Sequence, residues 1–219
     1  MLSLEERETR RKQIGASEVY KLLNFDTQEA QDLWELKVGI QDYQEIDSDA
    51  ITAGNILEED CLNYYAKTND VELVYNERIE SPIKGFVVSL DARVKDTYCP
   101  VENKVINENS WKSWFAKRTY NTEYEGIKLN IPASYYYQIQ AQMWVLDSNY
   151  GVLNVNTLTD EEQEDPINVV ITELHNKQVI IQRDEVAMEK IVKRVRYMLD
   201  CMKHLKRPSE LDYLEKEVF

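Results

Sequence analysis

The sequence predicts a mixed α/β (α+β) chain in which a central mixed β-sheet is flanked by helices. Three observations carry that expectation. Two alternating stretches, Phe86 to Val94 and Val101 to Ile106, face each other across the turn-like Lys95 to Pro100 (KDTYCP). Segments of helical period precede and follow that pair, and further short strand patterns lead into a long closing helix. At 219 residues with 43% hydrophobic content, the chain is long enough to bury one sizeable core. No Pro/Gly/Ser-rich linker, repeat or low-complexity tract divides it, so one domain over 1–219 is expected.

The elements follow in order. Ser17 to Leu23 reads as a short helix with Ser17 as its cap, and Thr27 to Val38 as a second helix ending near Gly39. Leu57 to Lys67 places Leu57, Cys61, Leu62, Tyr64 and Tyr65 at helical spacing, which leaves Glu58 near the helix start. From Phe86 to Val94 the residues Phe86, Val88, Leu90, Ala92 and Val94 point one way, and Val87, Ser89, Asp91 and Arg93 the other. On the returning strand Val101, Asn103 and Val105 share one face, and Glu102 and Lys104 the other. A hairpin in suitable register therefore gathers Asp91, Glu102 and Lys104. Ser110 to Arg118 and Ser134 to Leu146 read as helices, the latter with Gln138 and Gln142 on one face and Gln140 on the opposite one. Tyr150 to Leu158, Asn168 to Glu173 and Gln178 to Gln182 read as strands, and the acidic run Asp160 to Asp165 between them as a surface loop. Asp184 to Leu205 is the closing helix, capped by Asp184.

Composition excludes several classes. Nothing approaches eighteen consecutive apolar residues, and the first residues (MLSLEERETRRKQ) are charged, so neither a membrane span nor a signal sequence is expected, and the location expected is cytoplasmic. Cys61, Cys99 and Cys201 lie far apart with no C-x-x-C, which speaks for packing and against a disulfide framework, a zinc site or an iron–sulfur cluster. His175 and His204 are too sparse for a histidine metal site, and no Ser/His/Asp arrangement or phosphate-cradling glycine loop is present. Net charge is −14, which speaks against a broad nucleic-acid surface. Basic residues nevertheless bunch at Arg7 to Lys12, at Lys112, Lys117 and Arg118, and from Lys190 to Arg207, so DNA could be held in a narrow channel or these runs could be solvated helix faces.

An E-x-K triplet carries little by itself, since about one or two arise by chance in a chain this charged. Glu35-Leu36-Lys37 is a second copy in the same chain. The set gains meaning from its company: acids converging beside one lysine repel each other unless a cation compensates. Hard carboxylate oxygens suit Mg²⁺, and a divalent ion beside an ammonium suits phosphodiester hydrolysis. The competing interpretation is an ordinary cross-strand ion pair on a solvated sheet face.

Six stretches in a fixed order now resemble the YqaJ-like viral recombination exonucleases, the lambda exonuclease family of the PD-(D/E)xK nuclease superfamily. They are I-G-A-S-E-V (Ile14 to Val19), D-L-W-E-L-K-V-G ending at Gly39, G-x-x-x-E (Gly54 to Glu58), S-L-D-A (Ser89 to Ala92), V-E-N-K (Val101 to Lys104) and Y-x-x-Q-I-Q-A-Q-M-W-V (Tyr135 to Val145). The resemblance implies a restriction-endonuclease-like core. It implies Asp91, Glu102 and the Asn103 carbonyl as metal ligands, Glu58 as the helical acid at the metal, Lys104 as the residue that positions or activates water, and Gln138 as an active-site glutamine. Two Mg²⁺ ions, replaceable by Mn²⁺, are implied as cofactors. Arg10, Ser17 and Ser89 fall on the family's 5′-phosphate pocket, with Arg11 the alternative one residue along. Two departures stand out: Leu90 occupies the place of the usual proline, and Glu59 adjoins Glu58.

The expected activity is a metal-dependent 5′→3′ exonuclease on linear double-stranded DNA with 5′-phosphorylated ends, leaving 3′ single strands for recombination by annealing in a bacterial cell or phage-infected host. The resemblance also implies a phage-type single-strand annealing partner and a homotrimeric ring. The alternatives are an endonuclease of the same fold and a non-catalytic acidic protein that mimics or binds DNA.

Overall fold

The computed structural model describes residues 4–42, 49–115, 122–124 and 127–217. In chain order its elements are α1 (Leu4–Arg11), β1 (Ile14–Gly15), a 3-10 helix (Ala16–Leu23), α2 (Gln28–Lys37), α3 (Asp49–Asn69), β2 (Leu73–Tyr75), β3 (Arg78–Glu80), β4 (Phe86–Ser89), β5 (Ala92–Val94), β6 (Pro100–Asn107), α4 (Glu108–Ser113), β7 (Thr122–Tyr124), β8 (Ile127–Leu129), α5 (Ala133–Leu146), β9 (Tyr150–Leu158), α6 (Asp160–Glu164), a 3-10 turn (Pro166–Asn168), β10 (Asn176–Gln182), α7 (Glu185–Lys203) and α8 (Glu210–Glu217). The expected mixed α/β architecture is present. A seven-stranded mixed sheet runs β2-β5-β6-β9-β10-β7-β8, and a three-stranded sheet runs β1-β4-β3.

Alternation along β6 and β9 assigns the two faces of the large sheet. These strands pair in parallel, Val101 opposite Val152 through Asn107 opposite Leu158. Leu153, Val155, Val179 and Ile181 are buried against Ile139 and Met143 of α5. On the opposite face Val101 and Val152 pack with Leu62 and Tyr65 of α3. Gly151 lets α5 approach closely, because a Cβ there would lie 2.6 Å from the Ile139 side chain. Each side of the β6 strand is therefore covered by a helix, and α5 lies over Glu102 rather than solvent.

Five expectations change. Helix α3 begins at Asp49, eight residues before the expected start at Leu57, so Glu58 lies at the middle of the helix rather than near its start. The stretch Phe86 to Val94 is two strands in two sheets, with Leu90 and Asp91 at the bend between them. Backbone bonds from Leu90 to Glu77 (2.9 Å) and from Asn76 to Asp91 (3.0 Å) bridge that bend, and Asn76 takes a φ of 53° there. The alternation continues through a kink that pattern alone does not mark. Gly15 rather than Ser17 caps the first 3-10 helix, its N–H donating to Glu18 Oε2 at 2.8 Å. The acidic run forms helix α6, because Thr159 caps it and its acids sit at the favourable N-terminal end of the helix dipole. Asn168 to Glu173 forms no strand: β9 already has β6 and β10 on its two edges, so Ile171 packs inward without a ladder.

Much of the basic charge of α7 and of the residues just after it is paired within the chain. Arg194 is buried and pairs with Glu210 at 2.5 Å, while Lys193 pairs with Glu189, Lys206 with Asp212 and Arg207 with Glu35. The expected Ser110 to Arg118 helix is shorter and starts earlier, as α4 from Glu108 to Ser113 with Trp114 at its C-cap; Lys117 and Arg118 lie outside the described residues. All three cysteines are buried and unpaired, consistent with packing. Among the described residues no helix is long and apolar enough to cross a membrane.

Candidate active site

The hairpin register, Ala92 opposite Val101, sets the bend residue Asp91 beside Glu102 and Asn103. Asp91 Oδ2 accepts the Asn103 N–H at 2.8 Å. An extended residue points its N–H and C=O to the same flank, so the Asn103 carbonyl faces the Asp91 side as well. Glu102, only 1% exposed, accepts from three side chains: Lys104 Nζ at 2.5 Å and Gln138 Nε2 at 2.6 Å on Oε1, and Gln142 Nε2 at 2.6 Å on Oε2. A buried carboxylate with this many donors is not a solvated cross-strand ion pair. Gln140 turns to the opposite side, bonding the Gln182 carbonyl and the Asp184 N–H.

Burial and charge crowding shift the protonation of the cluster. Burial, reinforced by the charge of Glu102, pushes the Asp91 carboxyl up to about 7 against the pull of Lys104. Burial also raises Glu58, with Glu102 adding to it and Lys104 opposing. For Lys104 burial acts downward, but the negative charges of Glu102 and Asp91 outweigh it and hold the ammonium above its ordinary value. Lys104 is thus a fixed cation suited to orienting a water or a phosphoryl oxygen. Glu58, and not Glu59, shares a cavity of about 420 Å³ with Asp91, Asn103, Lys104 and Tyr135.

Three carboxylates against one ammonium leave an excess of negative charge, and every candidate donor is a hard oxygen. By donor chemistry Glu58, Asp91, Glu102 and the Asn103 carbonyl fit a divalent cation of the Mg²⁺ type. As the side chains stand, no group of three or more His, Cys, Asp or Glu among the described residues is gathered closely enough to hold an ion, and both Glu102 oxygens are engaged by side-chain donors.

A second cavity, of about 220 Å³, shares the Asp91 wall. It is lined by Arg10, Ser17, Ser89 and Gln138, which brings all three residues of the expected phosphate pocket together, and by Lys37 and Arg78. Arg11 instead turns away to Asp42. Lys37, part of the triplet offered as a chance match, is 7% exposed; it pairs with Glu18 at 2.8 Å and donates to the Arg10 carbonyl at 3.0 Å. It therefore ties the end of α1 to the 3-10 helix that carries Ser17. Sequence reasoning missed Lys37, Arg78 and the bond of Gln142, although Lys37 and Gln142 lie within stretches that carried the family resemblance.

Behind β6 lies a buried amide network that the sequence did not announce. Asn103 Oδ1 accepts from Asn154 and Asn156, each at 3.0 Å. Asn176 donates to Asn154 at 2.8 Å and to Asn156 at 3.0 Å, and Asn154 also reaches the Cys61 carbonyl on α3 at 3.4 Å. The network links the strand carrying Glu102 and Lys104 to the helix carrying Glu58. Asn154→Leu strands these partners, so a loss of about 2–3 kcal/mol is expected in urea unfolding. A variant as stable as the parent would mean the amides contribute only packing.

Comparison with known proteins agrees with this architecture. The family model described as YqaJ-like viral recombinase domain matches residues 7–151. The alkaline exonuclease LHK-Exo from Laribacter hongkongensis superposes with a TM-score of 0.68 at 19% identity, over 95% of this chain and 94% of that one. LHK-Exo in complex with dAMP gives 0.68 at 20% identity, over 99% and 98%. A phage related exonuclease from Haemophilus somnus 129PT gives 0.64 at 18% identity, over 88% and 94%. At these identities the likeness shows a shared fold. No curated protein sequence matches the chain significantly.

Proposed function

The chain belongs to the YqaJ-like viral recombinase domain family, and from that premise we propose that it is a metal-dependent 5′→3′ exonuclease that resects linear double-stranded DNA from 5′-phosphorylated ends. The observation that carries this reading is the shared Asp91 wall: a carboxylate–lysine cluster on one side and a cavity lined by Arg10, Ser17 and Ser89 on the other. An anion pocket next to a hydrolytic cluster suits an enzyme that grips a terminal phosphate and cuts close to it. The exonuclease names of the structural neighbours and the family resemblance support the same activity.

In this reading Glu58, Asp91, Glu102 and the Asn103 carbonyl would hold the ion or ions. When bound, Mg²⁺ or Mn²⁺ would stabilise charge on the scissile phosphate and lower the pKa of an attacking water. Lys104 orients that water or a phosphoryl oxygen with its charged ammonium. Gln138 and Gln142 orient the Glu102 carboxylate through its two oxygens, and an arriving ion would compete with them for those oxygens. Arg10, Ser17 and Ser89 receive the 5′-phosphate, with Lys37 holding the Arg10 backbone. The 3′ strand left behind would pass to a phage-type annealing protein, and a ring of three copies around the duplex would favour processive digestion; family resemblance supports both.

The test is digestion of linear duplex bearing or lacking a 5′-phosphate, in Mg²⁺ or EDTA, with each strand labelled separately. On a duplex with a 5′-phosphate at one end only, loss of the strand that carries it, abolished by EDTA, is expected. Digestion of a closed circle would point to an endonuclease of the same fold, and inactivity on every substrate and metal to a binding protein. Arg10→Ala should narrow the rate advantage of 5′-phosphorylated ends by about tenfold or more, as expected for one charge-assisted anchor. Arg11→Ala should keep that advantage, because Arg11 faces Asp42. The reverse ranking would transfer the anchor to Arg11.

A further inference from the structure

Two arginines, Arg10 and Arg78, border the 220 Å³ cavity, and only Arg10 is accounted for by the phosphate pocket described above. Arg78 stands on β3 directly across from Ser89 of β4. One of its guanidinium nitrogens lies 3.5 Å from Ser89 Oγ and the other bonds the Gln13 side-chain oxygen. Both of these partners are neutral. Among the described residues no carboxylate pairs with Arg78, although the chain has 40 acids for 26 bases. Arg11, Arg93, Arg183, Arg194 and Arg207 each hold at least one carboxylate, whereas Arg10 on the same cavity wall and the distant Arg196, like Arg78, pair with none among the described residues. Lys37, also on the cavity wall, is neutralised by Glu18. A guanidinium without a carboxylate partner, held beside a hydroxyl on a cavity wall, is suited to an anion.

We propose that Arg78 is a second phosphate-binding guanidinium, closing on a terminal phosphate from the β3 side while Arg10 approaches from α1. Two guanidinium forks favour a phosphate monoester, which is close to a dianion at neutral pH, over an internal phosphodiester, which carries one charge. Arg78 is thereby a specificity residue for chain ends. The inference rests on the reading of this cavity as the 5′-phosphate site.

The experiment measures binding rather than turnover. Fluorescence anisotropy in EDTA would compare the full chain on short duplexes ending in a 5′-phosphate or a 5′-hydroxyl. Arg78→Gln keeps an amide able to bond Ser89 and Gln13 but removes the charge. It should lower the phosphate-over-hydroxyl affinity ratio by about tenfold, with Arg78→Lys intermediate. Equal melting temperatures would show that the fold is intact. A Gln variant with the parental ratio overturns the proposal, because the charge is then unused. A parent that binds both ends equally overturns it together with the phosphate-pocket assignment. Phosphate-selective binding that depends on Arg78, without hydrolysis in Mg²⁺, would remove the nuclease reading and leave the Arg78 assignment standing.

Discussion

Lys104→Ala is expected to lower single-turnover hydrolysis of 5′-phosphorylated linear duplex by about 10²–10³-fold, the usual loss when one preorganised charge or donor is removed from a transition-state site. The expectation follows from how the ammonium is held. Its Nζ lies 2.5 Å from Glu102 Oε1 and 5.5 Å from the centre of the Tyr135 ring, and the charges of Glu102 and Asp91 keep it protonated. Without it, Glu58, Asp91 and Glu102 face an incoming phosphate with no side-chain cation in their cluster. Lys104→Arg should restore little, because a planar guanidinium is wider than an ammonium and cannot take the same point contact beside Gln138. Circular dichroism and melting would confirm folding of both variants. A Lys104→Ala rate within tenfold of the parent would mean that the lysine is an ion-pair partner for Glu102 and no more.

The sequence made the faces of β6 legible because a period of two leaves no choice. If Asn103 faces α3, then Glu102 and Lys104 must face the other way, toward α5. Helical period did the same for α5, sending Gln138 and Gln142 to Glu102 and Gln140 to Gln182. The bend at Leu90 and Asp91 was not legible, because alternation survives a kink whose cause is pairing with β2 and β3. Nor was Lys37. As the last residue of a chance-looking triplet it is unremarkable, and only the packing of α2 beside α1 brings it to the Arg10 carbonyl. The amide network behind Asn103 was hidden for the same reason, since Asn154 and Asn156 lie in a strand that reads by composition as simply less apolar than its neighbours. Local periodicity fixes direction; which elements meet is decided by long-range pairing.

Asp91→Asn is expected to have two opposite effects, and their combination tests the charge-crowding account of the site. Hydrolysis should fall by about 10³-fold or more, since a neutral amide is a poor ligand for a hard cation. The metal-free protein should nevertheless become more stable at pH 8. In the folded chain burial and Glu102 hold the Asp91 carboxyl near 7, whereas an unfolded aspartate titrates near 3.9. Between roughly pH 4 and 7 the folded state therefore carries more protons than the unfolded one, and stability falls as pH rises through that window. Above it the full cost of an ionised, crowded carboxylate is present. Asparagine removes that cost and can still accept the Asn103 N–H, so a gain of about 1–2 kcal/mol, a few degrees in melting temperature, is expected at pH 8 in EDTA. The advantage should shrink toward pH 4, where the parental carboxyl is neutral as well. Adding Mg²⁺ should raise the melting temperature of the parent far more than that of the variant, because an ion bound only by the folded state stabilises it by mass action. A variant that melts lower than its parent at pH 8 in EDTA would show that Asp91 serves the fold as an ordinary satisfied carboxylate, with no charge excess awaiting a cation.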